Sequence, residues 1–370
     1  MVEAKKGQGR PADRRSNLVN SLRGKIVSGD LAPGSIIPSQ NQLRSEYGVS
    51  ADTIQGAINR LRDDGFVETH SRSGTFVSKR PPHLHRFGVV FPYRPGATAH
   101  WSRFWEAVAF EVAAMQHQGD RELVSYYDTI SHEDAFGDFP RLLQSVESER
   151  LAGMFFVTPP VALLHTPVMQ NASLPRVVVA DPSNVFAGAE VIYHDWSSFF
   201  DKALGFLAAA GRRRVAMLGM NLDDKLVDRF LTQASASNMQ TGKHWVQRTP
   251  YVSPENVVRL LMFNETRPDA LIISDDHLLL EVVATLKEMN VRVPEDVQIV
   301  SHCNWPLPFQ PDVPVKLLGF DARQILETGI EMLESARRGE VFTGRTLLPA
   351  VFDHEYKQRT RTVTTMAAVV

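Results

Sequence analysis

Short apolar runs alternate with amphipathic segments along residues 87–301. The runs are short and rich in Val, Ile and Phe, which favours strands buried on both faces, and the longer segments repeat their apolar positions at helical spacing. Strands are predicted at residues 87–91, 123–127, 153–157, 176–179, 215–218, 244–247, 270–274 and 297–301. Helices are predicted at residues 101–118, 139–149, 196–210, 225–237, 254–263 and 277–289. This order is typical of an α/β fold with two doubly wound parallel sheets, which leaves a ligand cleft at the carboxyl ends of the strands.

The pattern before residue 80 is different and predicts two short, capped helices. Ser39 stands at an N-cap position with Gln42 three residues later, so a capping box begins a helix over 39–47. Gly48 permits the left-handed backbone that ends a helix, and Ser50 caps the next one. A tight helix-turn-helix is therefore expected.

The second helix of this pair, over residues 50–64, has one apolar and one polar side. Its apolar stripe consists of Ile54, Ala57, Ile58 and Leu61, and its free side consists of Ala51, Asp52, Gln55, Asn59 and Arg62. Residues 66–70 and 75–78 are β-prone and are joined by a turn that contains Gly74. Two helices followed by a two-stranded wing form an α+β winged helix-turn-helix, which places its second helix in the major groove of DNA.

Charge separates the same two regions. Residues 1–86 contain 14 Lys and Arg against 8 Asp and Glu, whereas the remainder contains 26 against 34. A basic head on an acidic body favours contact with phosphate groups. A helix-turn-helix that only packs within the protein stays open as the alternative.

Composition and the positions of consecutive prolines predict the domain organisation. The polar, basic residues 1–15 are predicted to be a disordered arm without a secretory signal, residues 16–79 the winged helix, residues 80–86 a stiff Pro-Pro linker, and residues 87–370 the body. Cys303 is the only cysteine, so the chain forms no internal disulfide, and no apolar run reaches membrane-spanning length. A reducing, cytoplasmic location is predicted.

The head resembles the GntR-type winged helix over about 65 residues. The resemblance depends on Ile26-Val27-Ser28-Gly29-Asp30-Leu31-Ala32-Pro33-Gly34, Pro38-Ser39, Gly48-Val49-Ser50, Thr53-Ile54, Ala57-Ile58, Leu61, Gly65-Phe66-Val67 and Gly74-Thr75-Phe76-Val77. Three positions where the family usually has arginine hold Asn41, Ala51 and Gln55 instead, so a different preferred site or a lower basal affinity is expected. The resemblance implies double-stranded DNA as a partner, with contacts expected from Ser39, Asn41, Arg44, Ser50, Ala51, Thr53, Gln55, Arg60, Arg72, Ser73 and Gly74.

The body resembles the LacI-type effector domain, which is similar to periplasmic sugar-binding proteins. The matching segments are Arg86–Phe91, Leu174–Val179, His194-Asp195, Gly211–Ala216, Pro268–Asp275 and Val293–Val300. A GntR-type head on a LacI-type body is the arrangement of the arabinose-repressor group. The resemblance implies a homodimeric, ligand-controlled regulator, by default a repressor, which binds a palindromic operator and takes a sugar or a related small molecule as its effector.

The expected effector pocket departs from the family pattern at several polar positions. Ser274-Asp275 stands in place of an Asn-Asp pair, an acidic group is lost at Cys303, and the usual arginine position falls at Leu226 beside Lys225. Aromatic residues near strand ends are candidates for stacking on a sugar ring. The expected effector-binding residues are Phe91, Tyr93, Trp101, Tyr193, Lys225, Asp275, Asn304 and Trp305. Three alternatives remain open: another kind of ligand, a body that only dimerises, and a solute-binding protein with a basic N-terminal extension.

No segment of the sequence favours catalysis, a metal or a cofactor. His302 and Cys303 are adjacent on a predicted strand and therefore point to opposite faces, so they are a poor nucleophile and base pair. Asp275-Asp276 fits the beginning of a helix, and His83 and His85 have no partner at metal-ligand spacing. The chain is predicted not to be an enzyme.

Overall fold

The computed structural model of the chain describes residues 11–96, 101–116, 119–130, 137–180, 186, 188–220, 222–249, 254–263, 265–340 and 345–359. Within these ranges the chain folds into a small N-terminal head and a two-lobed body. No helix in the described part is both long and apolar enough to cross a membrane.

The head consists of three helices and a β-hairpin. The helices are α1 (Pro11–Val27), α2 (Gln40–Tyr47) and α3 (Ala51–Asp63), and the strands are β1 (Val67–His70) and β2 (Gly74–Val77). The two strands pair antiparallel, with Val67 opposite Val77. Leu22 of α1, Leu43 of α2 and Leu61 of α3 are fully buried in a shared core.

The helix caps of the head form as local chemistry dictates. Ser39 accepts a hydrogen bond from the backbone of Gln42, whose side chain accepts one from the backbone of Ser39. Gly48 ends α2 in the left-handed region, at φ 61°, and Ser50 caps α3. The predicted capping box, turn glycine and second cap are confirmed.

The first lobe of the body is a parallel sheet covered by helices. Its elements in chain order are β3 (Arg86–Val90), α4 (Arg103–Met115), β4 (Glu122–Tyr126), α5 (Phe139–Glu147), β5 (Gly153–Phe156), α6 (Pro167–Gln170), β6 (Arg176–Ala180) and β7 (Glu190–Asp195), together with β13 (Thr346–Pro349) from near the C-terminus. The strand order is β13-β7-β6-β5-β3-β4, and every pairing is parallel.

The second lobe repeats this design with one antiparallel edge. Its elements are α7 (Trp196–Ala209), β8 (Val215–Gly219), α8 (Asp224–Ala236), β9 (Val246–Arg248), α9 (Pro254–Met262), β10 (Ala270–Ile273), α10 (Leu279–Glu288), β11 (Gln298–Trp305), β12 (Lys316–Asp321) and β14 (Val351–Phe352). The strand order is β14-β12-β11-β10-β8-β9, with β14 antiparallel to β12. Helix α11 (Ala322–Arg337) returns the chain to the first lobe, where it packs on β5 and β6. The predicted α/β class is confirmed.

Several predicted elements need correction. The arm was expected to be disordered up to Arg15, but α1 begins at Pro11, and residues 1–10 lie outside the described part. The strand expected at 244–247 begins at Val246, after a 3₁₀ turn over Lys243–Trp245. Sequence reasoning did not identify α1, β7, β12, α11, β13 or β14 as elements.

Candidate functional site

The N-terminal half of α3 presents a polar surface to solvent. Ala51, Asp52 and Gln55 are exposed, whereas Ile54 and Ala57 are buried against the rest of the head. The Gln55 side chain links two helices, because its oxygen accepts a hydrogen bond from Gln40 of α2 at 3.3 Å and its nitrogen donates to Asn59 at 3.1 Å. The row Gln40–Gln55–Asn59 is called the amide row below, and its first two side chains are exposed.

The structure separates the predicted DNA-contacting residues into two groups. Those on the exposed surface are Ser39, Asn41, Arg44, Ser50, Ala51, Gln55, Arg60, Arg72, Ser73 and Gly74. Thr53 is buried instead, and its hydroxyl lies 2.9 Å from the Ser50 hydroxyl, so it helps to begin α3. The Arg60 side chain is directed toward the C-terminal end of α3, where it pairs with Asp64 at 3.1 Å.

The turn between β1 and β2 places Arg72 at the tip of the hairpin. Arg72 adopts a left-handed backbone, at φ 67°, and Gly74 follows at φ 110°. Ile36 pairs with Phe76 of β2 through an isolated bridge, which fixes the hairpin against the segment that precedes α2. The exposed Arg72 guanidinium is thus held on the same domain as α3.

The head contacts the body through a buried carboxylate at the end of α3. Asp64 is only 3% exposed and accepts hydrogen bonds from Arg23 of α1 and Arg60 of α3, each at 3.1 Å. Arg150, which follows α5 in the first lobe, donates to the other Asp64 oxygen at 3.5 Å. Helix α3 and the first lobe therefore share one ion-pair network.

A cavity of about 510 Å³ lies between the two lobes at the carboxyl ends of their strands. Its lining draws on both sheets: Tyr93, Pro159 and His194 follow or end strands of the first lobe, and Asp275 and Asn304 belong to the second. This is the position where ligands bind in doubly wound folds.

The polar floor of the cavity consists of Asp275, Asp276, His277 and Asn304. Asp275 accepts hydrogen bonds from the backbone and the ring of His277, at 3.1 and 2.9 Å, and Asn304 donates to Asp276 at 3.1 Å. Burial opposes ionisation of Asp275, but the His277 hydrogen bonds outweigh it and lower the pKa of Asp275. Burial and the Asp275 charge together raise the pKa of Asp276 to about 6.

The pKa values of two histidines of the cavity are shifted in opposite directions. The hydrogen bond to Asp275 raises the pKa of His277, whereas burial lowers the pKa of His302 to about 3. The possible metal-ligating atoms of Asp275, Asp276 and His277 lie within 4.8 Å of one another. These three side chains are therefore close enough to contact one ligand together.

Only some of the predicted effector residues line the cavity. Tyr93, Asp275 and Asn304 line it, and Trp101 lies behind it, 5.8 Å from the rings of Phe91 and Trp105. Phe91 is fully buried in the core of the lobe. Lys225 is exposed on α8 and is absent from the lining.

Tyr193 and Trp305 point away from the cavity because side chains alternate along a strand. Tyr193 packs in the apolar cluster on the other face of the first sheet, and its neighbour His194 lines the cavity. Trp305 stacks on Tyr356 at 4.8 Å and donates its indole N–H to the Val351 carbonyl, while its neighbour Asn304 lines the cavity.

Sequence reasoning missed several cavity residues. They are Arg103, Trp105, His194, Trp196, Asp276, His277 and His302. The sequence contained a usable signal for Trp196 and His277, since Trp196 directly follows β7 and His277 lies four residues after β10. Both positions are at the carboxyl end of a parallel strand. Trp105 also lies one helical turn after Trp101, at the beginning of α4.

Comparison with protein families gives two separate matches along the chain. Residues 14–77 match the family of bacterial regulatory proteins of the gntR type, and residues 204–351 match the periplasmic binding protein-like domain. The head and the body thus carry domains of two separate families.

Two relatives match nearly the whole chain. An arabinose metabolism transcriptional repressor of Halalkalibacterium halodurans is 21% identical over 351 residues, which cover 86% of this chain and 90% of that protein. A protein of the same description from Geobacillus stearothermophilus is 21% identical over 347 residues, which cover 85% and 91%.

Solved structures share the fold of the body. A LacI family transcriptional regulator from Lactobacillus casei with bound sucrose superposes with a TM-score of 0.52 at 18% identity, over 73% of this chain and 98% of that one. The transcription regulator CcpA of Lactococcus lactis superposes with a TM-score of 0.54 at 15% identity, over 73% and 97%. These likenesses establish the fold of the body.

Proposed function

Because residues 14–77 form a gntR-type helix-turn-helix domain on a body with the fold of LacI-family regulators, we propose that this protein is a ligand-responsive transcription repressor. The observation that carries the proposal is the exposed polar side of α3 on a basic head, joined to a body with a cavity between two lobes. Both full-length relatives are described as transcriptional repressors, which supports repression as the outcome of binding.

In this proposal α3 enters the major groove and Arg72 of the hairpin contacts the DNA backbone. Gln55 is the main reading residue, because an amide side chain pairs with the N6 and N7 edge of adenine. Asn41 and Ala51 flank it on the same exposed surface. The arginines usual at these three positions are absent, so a preference for A·T pairs is expected here.

The repressor acts as a homodimer, so that two heads meet the two halves of a palindromic operator. Two exposed apolar side chains at the C-terminal end of α9 in the second lobe support self-association. Leu260 of α9 is 76% exposed, and Phe263, directly after α9, is 89% exposed. Patches of this kind commonly mark protein interfaces. We expect Phe263→Asp to shift the protein toward monomers in analytical ultracentrifugation.

Effector binding acts by closing the two lobes on the cavity. The chain crosses between the lobes after β7, after β12 and after β13, and these crossings are the natural hinges. A tenfold change in operator affinity requires the effector to favour one lobe arrangement by only about 1.4 kcal/mol. Such a bias lies within reach of a few polar contacts.

A gel-shift assay with randomised duplexes, run at two salt concentrations, tests the proposal. We expect binding that weakens steeply with salt and a palindromic consensus after selection. A protein that shifts no duplex at low salt is not a regulator of this kind. Phe263→Asp should weaken the operator complex without changing the half-site consensus.

A further inference from the structure

Two carboxylates line the cavity between the lobes. Among the described residues of its lining, Asp275 and Asp276 are carboxylates, and Arg103 is the only lysine or arginine. Asp276 is 2% exposed, and a charge at such a buried position costs far more free energy than a charge at the surface. A ligand that fills this cavity meets these carboxylates directly.

The charge of Arg103 is already engaged at the rim. Its guanidinium lies over the Phe309 ring, 4.2 Å from the centroid, donates to the Leu307 carbonyl at 2.7 Å and forms an ion pair with Glu106. Arg103 therefore ties α4 to the segment after β11, and the neighbouring Glu106 balances its charge. Its guanidinium contacts neither carboxylate of the floor by a hydrogen bond or a short ion pair, although its charge acts on Asp276 from a distance.

His277 is the one ring that lies close to both carboxylates in the described lining. Its ring nitrogen lies 2.9 Å from an Asp275 oxygen and 3.7 Å from an Asp276 oxygen. The remaining polar partner of the pair, Asn304, is neutral, and burial keeps His302 neutral. The floor thus presents two neighbouring carboxylates, and each keeps free acceptor sites.

Aromatic rings of two helices face the same space. Trp105 of α4 and Trp196 at the beginning of α7 line the cavity and are only partly buried. The ring centroids of Tyr93 and Trp105 lie 6.0 Å apart, and those of His302 and Trp196 lie 5.4 Å apart. Indole and phenol faces attract a cation that has left water.

From this arrangement we infer that the cavity takes a small organic cation, a protonated amine or quaternary ammonium on a compact body, with its charge at Asp275 and Asp276 and its body against Trp105 and Trp196. The inference rests on the proposed function, because it names the chemical class of the effector. A volume of about 510 Å³ admits a ligand of the size of an amino sugar or a short diamine.

Matched pairs of a cation and its neutral counterpart test the inference on the full-length protein. The probes are D-glucosamine with D-glucose, putrescine with 1,4-butanediol, and choline with 3,3-dimethyl-1-butanol, each measured by thermal shift and isothermal titration calorimetry at neutral pH. We expect at least one cation to stabilise the protein and to bind about tenfold or more tightly than its neutral partner.

Variants locate the binding. Asp276→Asn keeps the shape of the side chain but removes its charge, and Trp105→Leu removes one aromatic face. Both variants should bind the cation at least about tenfold more weakly and should bind its neutral partner with unchanged affinity. Asp228→Asn on the exposed side of α8, outside the cavity lining, is the matched control and should bind the cation as the wild type does.

Three results overturn the inference: no cation binds, each neutral partner binds as well as its cation, or manganese or zinc ions alone bind at Asp275 and Asp276. A gel shift with the selected operator on the same preparation separates this failure from failure of the proposed function. Operator binding without cation binding leaves the regulator intact and removes only the ligand class.

Discussion

At the scale of single residues, the hydrogen bonds of the amide row run in one direction, which bears on the proposed reading of DNA by Gln55. Gln55 receives one hydrogen bond from Gln40 and gives one to Asn59, which leaves one N–H and one oxygen lone pair of Gln55 free. These are the two groups that pair with adenine. Gln40 is therefore a positioning residue for Gln55, although it was not among the residues singled out in the sequence.

We expect Gln55→Ala to lose about 1–3 kcal/mol of discrimination at one base pair of each half-site. Gln40→Ala should relax the same position more weakly, since Gln55 then loses only its orientation. Selection from randomised duplexes measures both. Arg72→Ala is the control, because loss of a phosphate contact weakens all sequences alike and lowers the salt slope by about one. A changed consensus in the Arg72 variant would contradict this assignment.

His83 is a buried histidine between the head and the body, and it predicts loss of stability in acid. It stacks on Phe66 at 5.8 Å, and burial, with a smaller effect of Arg337 and His85, lowers its pKa to about 4. Because the unfolded chain binds the proton more tightly, the free energy of unfolding falls as the pH drops from about 6.5 to 4. His302 adds a similar loss that extends to lower pH.

The measurement is urea unfolding between pH 7.5 and 4.5, for the wild type and for His83→Phe, which preserves the stacking on Phe66. We expect similar stability at pH 7.5 and a smaller loss in the variant, with a difference of at most about 3 kcal/mol at the acid end. Parallel curves for the two proteins would show that His83 does not titrate in this range.

At the scale of elements, the close pairing of β11 with β12 depends on Gly319. An alanine Cβ at this position would lie 1.7 Å from the carbonyl oxygen of Cys303, whereas one at Gly205, on the exposed side of α7, meets nothing within 4 Å. We expect Gly319→Ala to destabilise the second lobe by several kcal/mol through backbone displacement. Gly205→Ala should add about 1 kcal/mol, since alanine favours helix. Calorimetric melting of both variants measures the contrast, and equal effects would contradict it.

Elements that depend on neighbouring residues were predictable, and elements that depend on distant ones were not. Ser39, Gly48 and Ser50 act on backbone within four residues, so the ends of α2 and α3 follow from the sequence. Strands β13 and β14 are four and two residues long and exist only because they pair with β7 and β12. A single sequence contains no signal for such a long-range partner.

The same limit explains the cleft. Its position follows from the alternation of strands and helices, and Tyr93, Asp275 and Asn304 were rightly placed beside it. Which of two neighbours on a strand faces the cavity depends on how the sheet is covered on each side. For this reason the sequence also favours Trp305, which points away from the cavity, and favours Tyr193 where His194 lines it.

At the scale of the whole molecule, polar contacts among the described residues tie the head and the linker to the body. Arg150 reaches Asp64 at the end of α3, Arg337 of α11 donates to the Leu84 carbonyl at 2.7 Å, and Arg80 pairs with Asp120 at 2.9 Å. Of these contacts, the ion pair between Asp64 and Arg150 is the most buried, with side chains 3% and 18% exposed. Solvent therefore screens its attraction least. They connect the first lobe directly to the reading helix.

We therefore expect Arg150→Ala to uncouple the head from the body without unfolding the head. Asp64 keeps Arg23 and Arg60 as partners, so its charge stays compensated and the loss should be about 1–3 kcal/mol. In scanning calorimetry the head and the body of the wild type should unfold in one transition. In the variant the head should unfold in a separate transition at a lower temperature. Arg44→Ala on exposed α2 is the matched control, since it removes a guanidinium from the same domain away from Asp64. If Arg150→Ala melts as the wild type does, effector closure must reach α3 through the linker after Lys79 instead.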